Sequence, residues 1–224
     1  MFSYVISIPS LYHRLDQSFW PSINKVNSIK PELYEGIEGK NHELPQWWTS
    51  KKKGGCIQEE HYEPGVWGLV QSYINLFNKI IEEKIEEPIL ILEDDSVIID
   101  TNTFDKDLND FLFHLPNDWE VGYISGYHGK NKKTVINNYV TKVSSVMQTN
   151  AVLYNGYKTC KKLKEFILNC SHREPIDVLY LHAYNALSIP LYRSNKKLIY
   201  QERYKSSALK NPIVGGGNRP WEYL

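Results

Sequence analysis

The chain has 224 residues, 42% of them hydrophobic and 13% aromatic, which suits one domain with a full core and excludes a disordered polymer. Lys plus Arg and Asp plus Glu each number 26, so the net charge is zero and no global positive field exists to hold a nucleic-acid backbone. The apolar stretches fall far short of the roughly 20 residues that cross a bilayer, and the opening residues lack a charged-then-apolar leader, so a soluble, unexported, cytoplasmic protein is expected. Cys56, Cys160 and Cys170 are odd in number, widely spaced and in no CxxC pair, which argues for reduced thiols rather than a disulfide framework or a zinc ribbon.

Tyr4 to Ile8 reads as a short buried strand stopped by Pro9, and Ser10 to Phe19 has the spacing of a following helix. From Glu35 to Gly65 the periodicity is lost among glycines and prolines, in a run that carries Trp47, Trp48 and the triple lysine Lys51 to Lys53. Irregular runs of this length are often lids or binding loops. Pro64-Gly65 opens the clearest helix, with Val66, Val70, Tyr73, Phe77, Ile80, Ile81 and Ile85 on one face, and Pro88 ends it. Ile89 to Leu92 is a continuous apolar run, the signature of a strand buried on both faces, and it leads straight into Glu93-Asp94-Asp95.

Strands are expected at Trp119 to Ile124, Asn138 to Val143 and Met147 to Tyr154, helices at Tyr157 to Asn169 and Ile176 to Leu187, and a late strand at Lys197 to Gln201. The sum is a single α/β domain over residues 1–210 with a Rossmann-type, mixed but mainly parallel sheet flanked by helices, followed by a glycine-rich tail at 211–224 that is expected to be mobile.

In open α/β sheets ligands bind beyond the carboxyl ends of the strands, and the acidic triple sits at such an end. Strand alternation puts Glu93 and Asp95 on one face and Asp94 on the other, so two of the three can point at one ion. Carboxylates without cysteines suit Mg²⁺ or Mn²⁺ shared with phosphate oxygens. The competing reading is a plain strand end in which Asp95 caps a turn before Ser96. Asp177, at the start of an expected helix, is either a general base or the cap of that helix.

The ordered set of motifs resembles glycosyltransferase family 25, the lipooligosaccharide and procollagen galactosyltransferase group, from Tyr4 to about Ala208. YVISIPSLYHRL is similar to the family's first strand and arginine-containing turn, and Tyr34 to Gly39 to the segment after its second strand. The helix start from Gly65 to Tyr73 also matches, with Val66 in place of the family's acid and Tyr73 in place of its histidine. Leu92-Glu93-Asp94-Asp95 resembles its Leu-Glu-Asp-Asp metal motif, Gln148 to Gly156 the strand before its second helix, Pro175-Ile176-Asp177 its Pro-Val-Asp, and Gln201 to Ser207 its Gln … Ser stretch.

The resemblance implies a GT-A-like fold, a UDP-hexose donor, Mn²⁺ or Mg²⁺ and inversion at the anomeric carbon. It implies Asp95, Glu93 and His182 as metal ligands, Ser7, Arg14, Glu93, Asp94 and Gln201 at the nucleotide, and Asp177 as the catalytic residue facing the acceptor. Trp47 and Trp48 would stack on an acceptor sugar or else anchor their loop, and Lys51 to Lys53 is a solvated run or an anion clamp.

The expected activity is therefore a metal-dependent, inverting hexosyltransferase that moves galactose or glucose to a hydroxyl on a glycan, a hydroxylated protein or a modified base. A degenerate nucleotide- or glycan-binding domain of the same fold is the alternative, suggested by Val66 and Tyr73. A two-metal phosphotransferase or nuclease ranks last, because one acidic cluster is visible. Neutral charge disfavours a nucleic-acid partner, although Lys130, Lys132 and Lys133 with Lys51 to Lys53 would make a local basic rim.

Overall fold

The structure, a computed structural model, describes residues 1–57, 62–126 and 133–202. The expected mobile tail at 211–224, the domain end at 210, and Lys130 and Lys132 lie outside the described residues. Three strands open one edge of the main sheet: β1 (Phe2–Ser7), β2 (Glu32–Glu35) and β4 (Pro88–Glu93). The main sheet also contains β6 (Val121–Tyr123), β7 (Lys133–Val135), β8 (Val140–Val143), β9 (Ala151–Asn155) and β11 (Leu191–Ser194). Their order is β2-β1-β4-β9-β6-β11-β8-β7. Two smaller pairs complete the described strands: β3 (Lys52–Lys53) with β10 (His172–Arg173), and β5 (Ser96–Ile98) with β12 (Ile199–Gln201).

Following the pairings across the sheet, β9 and β8 run against the other six strands. Both reversed strands are interior, so each makes two antiparallel ladders and the sheet is mixed rather than built on parallel pairs. The protein is thus a mixed α/β fold, broadly Rossmann-like, with helices on both faces of one large sheet.

Strand β4 shows why the chain folds this way. Its alternate residues feed opposite layers: Ile89 and Ile91 join the core beneath α4 (Glu63–Glu82), α6 (Gly156–Asn169) and α7 (Ile176–Leu187), while Leu90 and Leu92 join the core beneath the helical run at residues 9–23 and α5 (Phe104–Phe113). All four side chains are fully buried, as expected of a strand covered on both faces. The apolar face of α4 is inward as its spacing predicts, with Val66, Val70, Tyr73, Phe77 and Ile80 buried.

The helical run after β1 is less regular than its spacing suggests. A 3₁₀ turn at Pro9–Leu11 leads through α1 (Tyr12–Arg14) and a π turn at Leu15–Phe19 into α2 (Trp20–Ile23). Helix α5 carries its own signal, Phe104, Leu108 and Phe111 at helical spacing, all buried.

The described part of the irregular stretch before α4, up to Ile57, is clamped down rather than loose. Within it, α3 (Gln46–Thr49) buries Trp48, which is only 1% exposed. The Trp48 indole N–H donates to Glu63 Oε1 at 3.1 Å, and the same carboxylate pairs with Arg173 at 2.6 Å. Arg173 in turn donates to the Thr49 and Lys51 carbonyls at 2.7 and 3.2 Å. Trp48 is therefore an anchor of its loop and has no face to offer an acceptor sugar. Trp47 packs edge-on against it, half-buried, with ring centroids 5.6 Å apart.

Lys51 is likewise spent, donating to the Leu168 carbonyl at 2.7 Å and to the Cys170 carbonyl, where it closes the C-terminal end of α6. The three cysteines are unpaired. No helix among the described residues is long and apolar enough to cross a membrane. Trp48→Ala should lower the unfolding free energy by about 3–5 kcal/mol in urea titration; a loss below about 1 kcal/mol would mean that the loop is not part of the core.

Candidate functional site

The site forms where β4 ends beside β1. Register pairs Ile6 with Glu93, so the next residues along, Ser7 and Asp94, are also neighbours. The Ser7 hydroxyl donates to Asp94 Oδ2 at 2.7 Å, and Arg14, carried back by the helical turn after β1, lies 3.5 Å from Asp94 Oδ1. All three are buried. Burial raises the Asp94 carboxyl above its ordinary value, while Ser7 and Arg14 pull it back down. The contact is inward-facing: Ser7 and Arg14 tie the first strand and helix to the acidic turn. Expected at the nucleotide together with Asp94, both are brought to that residue.

Glu93 points to the opposite side, as alternation predicts. Its Oε1 accepts from Thr149 Oγ1 at 2.6 Å and from the Tyr73 hydroxyl at 3.2 Å. Asp95 sits in the turn after β4. The β5–β12 ladder pairs Gln201 with Ser96, which delivers the Gln201 amide to Asp95 Oδ2 at 2.9 Å and the Glu202 N–H to the Asp95 carbonyl at 2.7 Å. The other carboxylate oxygen, Asp95 Oδ1, is buried and has no hydrogen-bond partner among the described residues.

Beneath the turn lies Asn150, fully buried, whose carbonyl accepts from the Glu93 N–H at 3.0 Å and from the Ser96 hydroxyl. Its side-chain oxygen accepts from Ser125 at 2.9 Å, and its side-chain nitrogen is buried without a partner among the described residues.

Two carboxylates this close in a dry site repel. Burial pushes Glu93 up to about 8, with Asp95 the next cause, and burial pushes Asp95 up to about 7 against the Gln201 hydrogen bond. A proton or a cation at either group would relieve this cost. Asp95 and Glu93 are the residues that could hold a divalent metal, because an orphaned buried oxygen and unrelieved negative charge are what a hard cation satisfies. Among the described residues no group of three or more His, Cys, Asp or Glu side chains is arranged as a metal cage, so further ligands would come from water or substrate.

Asp177 lies in the first turn of α7, accepting from the Val178 N–H at 2.9 Å and from the backbone of Gln148. Burial raises its carboxyl and those N–H donors oppose the shift. Gln148 is the link to the acids: with φ at 73° it adopts a left-handed backbone, and its side chain donates to Gln201 Oε1 at 3.2 Å. A continuous polar chain therefore runs Asp95, Gln201, Gln148, Asp177.

His182 is not part of this group. Five residues beyond Asp177 and about 140° around the helix, it is exposed and contacts none of the acids. Among the described residues the structure does not bring this expected metal ligand together with Glu93 and Asp95. Tyr73, Thr149, Asn150 and Gln148 are the site residues that charge and spacing did not single out as such. Tyr73 reads in the sequence as one more inward residue of α4, since nothing there marks a hydroxyl that meets an acid 20 residues on.

No protein-family model matches the chain, and no curated protein matches it.

Two outcomes follow from the crowded acids. A carboxyl raised in the folded state makes that state bind more protons than the unfolded chain, so its stabilising share is present near pH 4 and is lost as pH rises through the folded value. The melting temperature should fall between about pH 4 and pH 8, the range set by ordinary values of 3.8 and 4.5 and raised values of about 7 and 8. Adding Mn²⁺ should remove most of that fall, with the largest gain at the alkaline end; a Mn²⁺ effect independent of pH would contradict the reading. Tyr73→Phe removes one donor from Glu93 and leaves the ring packing, so it should weaken Mn²⁺ binding about 3- to 10-fold, in keeping with one hydrogen bond, at a stability cost of about 1 kcal/mol.

Proposed function

We propose that the protein is a metal-dependent, inverting glycosyltransferase of the GT-A type, resembling family 25, which moves galactose or glucose from a UDP-sugar to an acceptor hydroxyl. The single observation that carries the proposal is the buried, unpartnered Asp95 Oδ1 beside Glu93 at the carboxyl end of β4, joined through Gln201 and Gln148 to Asp177. Glu93 and Asp95 would hold Mn²⁺ or Mg²⁺, which when bound supplies positive charge where the departing diphosphate becomes negative.

The chain's own residues do the rest. Gln201 fixes the Asp95 carboxylate, and Thr149 with Tyr73 fixes that of Glu93. Asp177 takes the proton of the acceptor hydroxyl as the acceptor oxygen bonds to the anomeric carbon and the bond to the UDP oxygen breaks. Its raised carboxyl makes it a stronger base than an exposed aspartate, and its backbone donors keep it aimed. The antiparallel β9, inserted beside β4, supports this reading because it brings Thr149 and Asn150 against the acids.

Release of UDP from UDP-galactose or UDP-glucose with Mn²⁺ is the test. Asp95→Asn should abolish turnover and weaken Mn²⁺-dependent UDP binding. Asp177→Asn should leave UDP binding intact and lower kcat by about 10²–10⁴, the usual share of a general base. One observation favours a binding domain without turnover: the Tyr73 hydroxyl occupies Glu93 Oε1. Tight UDP binding with no hydrolysis or transfer on any acceptor would select that reading, and absence of any UDP-sugar binding would end both.

A further inference from the structure

Arg193 stands near the end of β11, one residue before its close, at the same carboxyl edge of the sheet as the acids. It is half-buried, its Nε is buried without a hydrogen-bond partner, and among the described residues no carboxylate pairs with it. The cross-strand neighbours facing it are Tyr123 on β6 and Thr141 on β8. Thr141 turns its hydroxyl to Asn195 at 2.6 Å, and the Tyr123 hydroxyl meets that of Tyr184 at 2.8 Å, so neither serves the guanidinium. Among the described residues burial is what acts on the group, with no acid to offset it. A partly desolvated guanidinium with a buried, unpartnered Nε and no acid beside it among the described residues is costly to keep unless a ligand completes it.

Its place along the edge says which ligand. From β4 the strands run β9, β6, β11, so Arg193 is three strand spacings, about 14 Å, from the acids. That is too far to reach a diphosphate held at Asp95. Asp177 lies between them, close enough to Tyr123 to raise its hydroxyl, and Tyr123 is the residue beside Arg193. The guanidinium is therefore beyond the base, on the side where the acceptor must enter.

We infer that Arg193 recognises a negatively charged group, a carboxylate or phosphate, on the acceptor sugar, so that the acceptor is an acidic glycan. A planar fork of N–H donors suits either oxyanion in two-point contact. The inference rests on the transferase reading for the word acceptor; the acidic-sugar site itself does not.

The test uses the full chain and its Arg193→Gln variant, without donor. Binding of glucuronate and glucose 6-phosphate is compared with that of neutral glucose by isothermal titration, and the melting temperature of each protein is measured in the same buffer. Wild type should bind at least one acidic sugar 10-fold or more tighter than glucose, and Arg193→Gln should lose that preference. The variant should melt at the same temperature or higher, because it sheds an unpaired charge. UDP binding with Mn²⁺ should be unchanged.

Equal binding of acidic and neutral sugars by wild type, or a preference that survives in Arg193→Gln, overturns the inference. So does a melting temperature lowered by several degrees, which would mean that Arg193 is already paired within the protein. Loss of UDP binding in wild type with the acidic-sugar preference intact would instead sink the transferase reading and leave the anion site standing.

Discussion

Two carboxylates, Glu93 and Asp95, are held within mutual repulsion at the dry end of the central strand, and much of the surrounding architecture exists to keep them there. In a low-dielectric setting like charges at such range cost several kcal/mol unless a proton or cation intervenes. The fold holds this arrangement from three directions. Helix α4 supplies Tyr73 from one face, the approach to β9 supplies Thr149 and Asn150 from the neighbouring strand, and β12 supplies Gln201 by pairing with β5. Each is neutral, so each fixes geometry without cancelling charge.

The third acid of the triple serves the opposite purpose. Asp94 turns inward to Ser7 and Arg14, where a hydroxyl and a guanidinium match it, and so locks the start of the chain against the acidic turn. Strand alternation thus turns neighbouring residues to different partners: Asp94 meets a hydroxyl and a guanidinium, while Glu93 and Asp95 meet neutral donors among the described residues. Asp177 is joined to Asp95 through Gln148 and Gln201. Farther along the same edge, three strand spacings from the acids, stands Arg193, whose Nε is buried without a hydrogen-bond partner among the described residues.

Much of this was legible before the structure. ILIL followed by three acids specifies a doubly covered strand that ends in charge, and both its burial and the opposite facing of Glu93 and Asp94 came out as alternation requires. The spacing of α4 and the span of α7 were readable because long amphipathic patterns outlast local noise. Gln201 was reached through resemblance and does touch Asp95. What was not legible depends on contacts between distant residues that carry no charge pattern. Tyr73 and Asn150 look like ordinary core positions, and the role of Gln148 arises from a backbone φ that no composition reveals. Short β11 has too few residues for a period to register. His182 stands apart from Asp177 because a helix presents residues five apart on different faces, and Trp48 takes the anchoring alternative because its indole is drawn into the core beside a buried Glu63.

The central claim, that a divalent cation replaces protons between Glu93 and Asp95, is tested most directly by counting the protons set free when Mn²⁺ binds. Titration calorimetry in two buffers of different ionisation enthalpy gives that count. The account predicts release of about one proton per metal near pH 7, fading toward zero by about pH 9, and loss of both binding and release in Asp95→Asn, as carboxyls raised to about 7 and 8 require. Binding that releases no proton at pH 7, or that persists unchanged in Asp95→Asn, would contradict it.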